Sequence, residues 1–138
     1  LANFDQLNKD KFDIGIFQTI SIFNIMHMND LTSFISKHFK EIDIHYNMVF
    51  TPNHISPKVL PKRIKEKVTK LYGNNSAEHV NRTLKFMNGE QYEKSEWINF
   101  ILQTKQVDRY RKEQFENVFP KLYKIIEKDW NSVNKDIL

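Results

Sequence analysis

The sequence predicts a parallel α/β fold followed by an all-helical C-terminal part. Two observations carry this. Residues 12–72 read as strand, helix, strand, helix, and the helix between the strands has the length a parallel crossover needs. Beyond Gly73 every apolar pattern has helical spacing. A third observation concerns extent. Only about two βα units are present and the chain opens on Leu1, so the expectation is a piece of a larger α/β protein whose reactive chemistry lies elsewhere.

The elements follow in order. Residues 1–11 are polar and read as a linker. Residues 12–25, FDIGIFQTISIFNI, carry Ile and Phe on both alternating faces, the pattern of a strand buried on both sides. Asn29 or Asp30 offers an N-cap, after which Leu31, Phe34, Ile35, His38 and Phe39 share one helical face. Residues 42–50 alternate cleanly. Ile42, Ile44, Tyr46, Met48 and Phe50 fall on one side, and Asp43, His45, Asn47 and Val49 on the other. That pattern suits a half-exposed edge strand or a barrel strand with a polar lumen. Three prolines between Thr51 and Pro61 exclude a central strand there. Pro61 opens a helix with Ile64, Val68, Leu71 and Tyr72 inward and Gly73 at its C′ position.

Three further helices are predicted. Ser76 caps one carrying Val80, Leu84 and Met87 and ending near Gly89. Ser95 caps another carrying Trp97, Ile98, Ile101 and Leu102 to about Arg111, with an Asp108–Arg111 ion pair on its surface. Pro120 opens the last, with Leu122, Tyr123, Ile126 and Trp130 as its apolar stripe. The expected division is residues 1–73 as βα units and residues 74–138 as a helical extension packed on them.

Composition narrows the chemistry. A chain of 138 residues, 40% hydrophobic and 28% charged, has the profile of one folded domain burying roughly 70% of its unfolded surface. The absence of cysteine removes disulfides, thiolate nucleophiles, thiolate zinc sites and Cys-ligated iron–sulfur clusters. No apolar run has the length of a membrane span and the first residues lack a signal-peptide pattern, so the expected location is cytoplasmic. Gly15, Gly73 and Gly89 are too scattered for a phosphate-binding loop, and neither G-x-S-x-G nor HExxH occurs. His45 and His54, with Asp43 nearby, fall short of a metal set, which needs three or four convergent ligands. His38 reads as a half-buried, hydrogen-bonded residue. Two Asn-x-Ser/Thr sequons, at Asn74 and Asn81, are ordinary in an Asn-rich chain.

A net charge of +4 raises the question of nucleic acid. The lysines are not interleaved with aromatics or glycines, so solvated helix faces are the favoured reading. The polar strand ends are more informative. Thr19, Ser21 and Asn24 gather at the C-terminal end of the first strand, and His45, Asn47 and Thr51 along and past the second. Parallel α/β folds bind ligands at those ends.

At these residues the sequence resembles a known family. The runs TISIFN (Thr19–Asn24), IHYNMVFTP (Ile44–Pro52) and SPKVLPKRIKEKV (Ser56–Val68) are similar to the C-terminal part of twitch-domain-containing radical S-adenosylmethionine proteins. The tail DRYRKEQFENVFPKLY (Asp108–Tyr123) resembles the ending of the same group. The resemblance implies that the two strands are the last βα units of a six-stranded partial (β/α) barrel. It implies that Ser21 and Asn24 face the methionine or ribose region of S-adenosylmethionine. Asn47 and the Thr51–Pro52 turn would lie near the adenine or substrate. The family's CxxxCxxC loop is missing, so the 4Fe–4S cluster and most of the cofactor site would belong to the remainder of the barrel, in the same chain or a separate subunit. On this expectation the piece alone binds no cofactor, runs no radical chemistry, exposes a sheet edge at its first strand, and is poorly soluble or self-associates.

Two other classes compete. One is a free-standing basic α/β module for an acidic partner such as nucleic acid, using Lys62, Arg63, Lys65, Lys67 and Lys70. The other is a small hydrolase built on Asp43 and His45, for which the sequence offers no nucleophile or oxyanion loop.

Overall fold

The computed structural model describes residues 15–39, 42–74, 77–89 and 93–133. Two strands, β1 (Gly15–Ile20) and β2 (Asp43–Met48), pair in parallel, with Gly15 beside Asp43 and Ile20 beside Met48. A 3₁₀ turn (Ile25–His27) and helix α1 (Met28–His38) connect them. Two more 3₁₀ turns, Asn53–Ile55 and Pro57–Val59, lead into α2 (Lys62–Tyr72). Then come α3 (Glu78–Asn88), α4 (Lys94–Arg111), the short α5 (Phe115–Val118) and α6 (Pro120–Ser132). The chain is therefore mixed α/β, with a parallel strand pair and a helical C-terminal part. Residues 12–14 of the predicted first strand and the predicted cap Ser76 lie outside the described residues.

β1 differs from its expectation. Its apolar run was read as one strand buried on both sides, but it holds two elements. The strand stops at Ile20, and Ile22 and Ile25 are fully buried from the following turns. Within the strand, Gln18 and Ile20 are buried while Gly15, Phe17 and Thr19 are exposed. Only one face is covered. β2 follows its predicted alternation, with Ile44, Tyr46 and Met48 half-buried and Asp43, His45 and Asn47 exposed. Phe50, grouped with the covered face, is 63% exposed.

The helix ends show where local pattern yields to packing. α1 starts at Met28, so Asn29 and Asp30 lie inside its first turn rather than capping it. The Met28 N–H is held by the Tyr72 hydroxyl at 3.2 Å, a partner 44 residues away. Burial raises the Tyr72 phenol above its ordinary range, with the Met28 N–H opposing and Asp30 reinforcing. Gly73 has ordinary right-handed φ, so it does not form the predicted left-handed cap, while α3 ends at the expected Gly89, which is extended. The left-handed residue is Lys112 (φ 56°), which closes α4. Ser95 lies within α4, whose first turn bonds to the Glu93 carbonyl instead. The Asp108 carboxylate accepts the Phe115 N–H at 2.8 Å rather than pairing with Arg111. It thereby satisfies an orphan donor at the start of α5.

One apolar cluster draws on both halves of the chain. Ile20, Ile22, Ile25, Leu60, Ile64 and Val68 pack with Val80, Met87, Phe100, Ile101, Leu122 and Ile126. Aromatic rings fill its C-terminal side. Phe115 stacks on Trp130 at 4.6 Å, and Trp97 stacks on Phe100 at 5.2 Å. Phe23 reaches across from the β1 loop to within 5.3 Å of Phe100 and 5.4 Å of Phe119. Leu71 and Phe34, predicted inward, are 54% and 41% exposed. His38 is exposed against the Phe34 ring at 4.5 Å, not half-buried. The end of α6 is fastened by Lys105, whose ammonium donates to the Trp130 carbonyl at 2.5 Å and the Val133 carbonyl at 2.8 Å.

Phe115 is 1% exposed on a helix of four residues, so its ring is what docks α5. Phe115→Ala is expected to cost about 3–5 kcal/mol, a large part of the total for a domain of this size. Urea denaturation should show the midpoint falling with little change in slope.

Candidate functional site

The C-terminal ends of the two strands are held together by main-chain bonds between their loops. The Val49 N–H donates to the Ile20 carbonyl at 2.9 Å, and the Ile22 N–H to the Ile55 carbonyl at 3.0 Å. The Thr51–Pro52 peptide that opens the second loop is cis. The predicted residues sort clearly on this frame. Asn24 is turned back on its own chain: its Oδ1 accepts the Ser21 N–H at 2.8 Å and its Nδ2 donates to the Thr19 carbonyl at 2.9 Å. Both ends of the amide therefore shape the turn leaving β1. Ser21 is half-buried in that turn, and Thr51 and Pro52 are exposed at the start of the next loop. Asn47 is exposed and sits beside Thr19 in the strand register.

Thr19 and Asn47 belong to the uncovered face of the sheet. Phe17 and His45 lie next to them on the same face, their rings stacked at 4.8 Å and 22°. A Cβ at Gly15 would meet the His45 ring at 3.4 Å, an ordinary van der Waals contact. Asp43 precedes it on this face. No group of three or more His, Asp or Glu that could hold a metal ion occurs among the described residues.

A second constellation occupies the covered face. Tyr46 stacks on His79 of α3 at 4.0 Å and 9°. Its hydroxyl lies 2.5 Å from the Thr32 hydroxyl of α1, and His79 Nε2 lies 3.2 Å from Asn29 Oδ1. Burial pushes the His79 imidazole below its ordinary range. Gln18, in register with Tyr46, is buried with no hydrogen-bond partner for its Oε1 among the described residues. An open groove of about 470 Å³ runs from Phe17 and His45 on the uncovered face past Tyr46 and Asn47 to Glu78 and Arg82 of α3. Sequence reasoning missed this cluster. Tyr46 was counted with the apolar face of its strand, and α3 was read through Val80, Leu84 and Met87 alone.

The basic stripe on α2 is divided by packing. Arg63 pairs with Asp129 of α6 and donates to the Ile125 carbonyl at 3.4 Å. Asp129 also accepts the Trp97 indole N–H at 3.1 Å, which ties three helices together. Lys65 is 8% exposed, and burial with the nearby Lys58 charge lowers its pKa from the ordinary lysine value. Lys62, Lys67 and Lys70 remain exposed.

The His79 shift has a signed consequence. An imidazole held below its unfolded value of 6.5 resists protonation in the fold, so its contribution is fullest above that pH. Stability is expected to fall as pH drops through 6.5 towards the folded value. His79→Phe, which keeps a ring on Tyr46, should flatten that part of the profile. Urea midpoints of both proteins, measured from about pH 7.5 to about pH 5, check this.

Among the described residues no helix is long and apolar enough to cross a membrane. No protein-family model, curated protein or solved structure matches the chain.

Proposed function

We propose that this chain is a wall of a larger parallel α/β enzyme, with the uncovered face of β1 and β2 turned towards a bound ligand. The carrying observation is that bare face. Parallel sheets are as a rule covered on both sides, yet here Phe17 is 69% exposed and Thr19, His45 and Asn47 are exposed with it. Burying a phenylalanine is worth about 1.5–3 kcal/mol, so a face of this kind favours a cover. Its polar members, Thr19 and Asn47, sit towards the C-terminal strand ends, where parallel α/β folds bind ligands.

The resemblance of the strand-end motifs to radical S-adenosylmethionine proteins supplies the ligand class. On this reading the wall is part of a partial (β/α) barrel and the ligand is S-adenosylmethionine. A 4Fe–4S cluster, where bound, supplies the electron that cleaves that cofactor. This chain contains no cysteine and so offers the cluster no thiolate; those ligands belong to the remainder of the barrel. Thr19 and Asn47 contribute hydrogen-bonding groups on the open face. Asn24 acts by positioning, through its hold on the Ser21 and Thr19 backbone.

The test is S-adenosylmethionine affinity in the complete polypeptide or complex that carries this chain. Asn47→Ala with Thr19→Val should weaken binding roughly tenfold, the loss of one or two hydrogen bonds. Asn24→Ala should lower unfolding stability by about 1–2 kcal/mol. Unchanged affinity in the Thr19 and Asn47 variant removes the cofactor from this face.

A further inference from the structure

The outer edge of β2 has a geometry that the ligand-wall reading does not use. Among the described residues the sheet has only β1 and β2, so no described strand pairs with β2 on the side away from β1. The Val49 N–H points at β1, where it bonds the Ile20 carbonyl. Backbone direction alternates along a strand, so Ile44, Tyr46 and Met48 turn their N–H and C=O groups to the outer edge. The open groove reaches this edge from Phe17 and His45 on the uncovered face and ends against Glu78 and Arg82. Those two side chains are exposed, stand one helical turn apart on α3, and form no ion pair among the described residues.

We propose that this edge is a homodimer interface in which β2 pairs antiparallel with β2 of a second copy, about a two-fold axis at Tyr46. The register is self-complementary. Tyr46 faces Tyr46 of the second copy, and Ile44 faces Met48, so half-buried apolar residues meet on the covered face. These are the residues whose backbone groups point outward, as hydrogen-bonded antiparallel pairs require. On the opposite face His45 meets Asn47. The same axis runs the two α3 helices antiparallel and brings Glu78 of one copy to Arg82 of the other. Charge complementarity thus singles out a second copy over an unrelated strand, and the contact is isologous and closed. It covers an edge that would otherwise template open-ended pairing.

The chain's lack of cysteine makes the register directly readable. Sedimentation equilibrium should give twice the 16.6 kDa chain mass. Glu78→Arg or Arg82→Glu should each raise the dimer dissociation constant roughly tenfold or more, and the double swap Glu78→Arg/Arg82→Glu should restore it. His45→Cys mixed with Asn47→Cys should give a disulfide-linked heterodimer on mild oxidation, with little linkage in either variant alone, because His45 and Asn47 form a close non-hydrogen-bonded pair. All four positions are exposed, so the variants are expected to keep the circular dichroism spectrum of the unmodified chain. A monomer at every concentration overturns the proposal. So does a dimer indifferent to both charge reversals, or one cross-linked as well by single variants as by the mixture. None of these readouts involves S-adenosylmethionine, and the charge reversals at Glu78 and Arg82 touch no residue of the ligand wall, so failure of this interface and failure of the ligand wall are distinguishable.

Discussion

A single parallel ladder is a weak unit, because parallel pairing is slightly less stable per residue and two strands enclose nothing. The pair here depends on being seated by one face on a helical core. Ile20 ends β1 inside that core, and Ile22 and Ile25 continue into it from the turns that follow. The bond from Ile22 to the Ile55 carbonyl fixes the loop after β2 to the loop after β1. Every other feature of the sheet follows from this one-sided seating. Because the packing among the described residues is on one side, the opposite face, with Phe17, Thr19, His45 and Asn47, stays exposed.

The same constraint assigns the polar residues. Groups near the core must be hydrogen-bonded or they cost about 1–3 kcal/mol each, so many side chains that look functional are engaged in holding the fold. Asn24 shapes a turn, Asp108 starts a helix, Lys105 finishes one, and Arg63 joins two. What remains for recognition is a smaller set at the sheet: the bare-face residues, the Tyr46–His79 stack, and the Glu78 and Arg82 charges beside the β2 edge. These residues form two surfaces with different chemistry. One is a polar strand end suited to a small ligand, and the other an edge suited to a strand.

The legible parts of the fold were those written at one period. The clean alternation of Ile44, Tyr46 and Met48 against Asp43, His45 and Asn47 is the alternation of β2, and Pro120 opens α6 where its missing N–H is harmless. The illegible parts were junctions. Residues 12–25 look like one apolar strand because isoleucine serves equally in a strand and in a buried turn. Gly73 looks like a left-handed cap because glycine permits that conformation without requiring it. At the site, pattern located the strand ends but not the direction of Asn24, whose partners are backbone groups. His79 carried no local signal at all, since its significance is a ring 33 residues earlier in the chain.

The amino-acid sequence by itself determined the two strands and the longer helices, the parallel pairing and the lack of any thiolate in this chain, because these depend on short-range periodicity and on composition. Tertiary structure alone decided which face of the sheet is covered, which lysines and carboxylates are left exposed, and which strand edge lies open. Those outcomes depend on contacts such as Met28 to Tyr72 and Trp97 to Asp129. Residues so far apart in the chain leave no trace in its local pattern, and only the shared core brings them into reach.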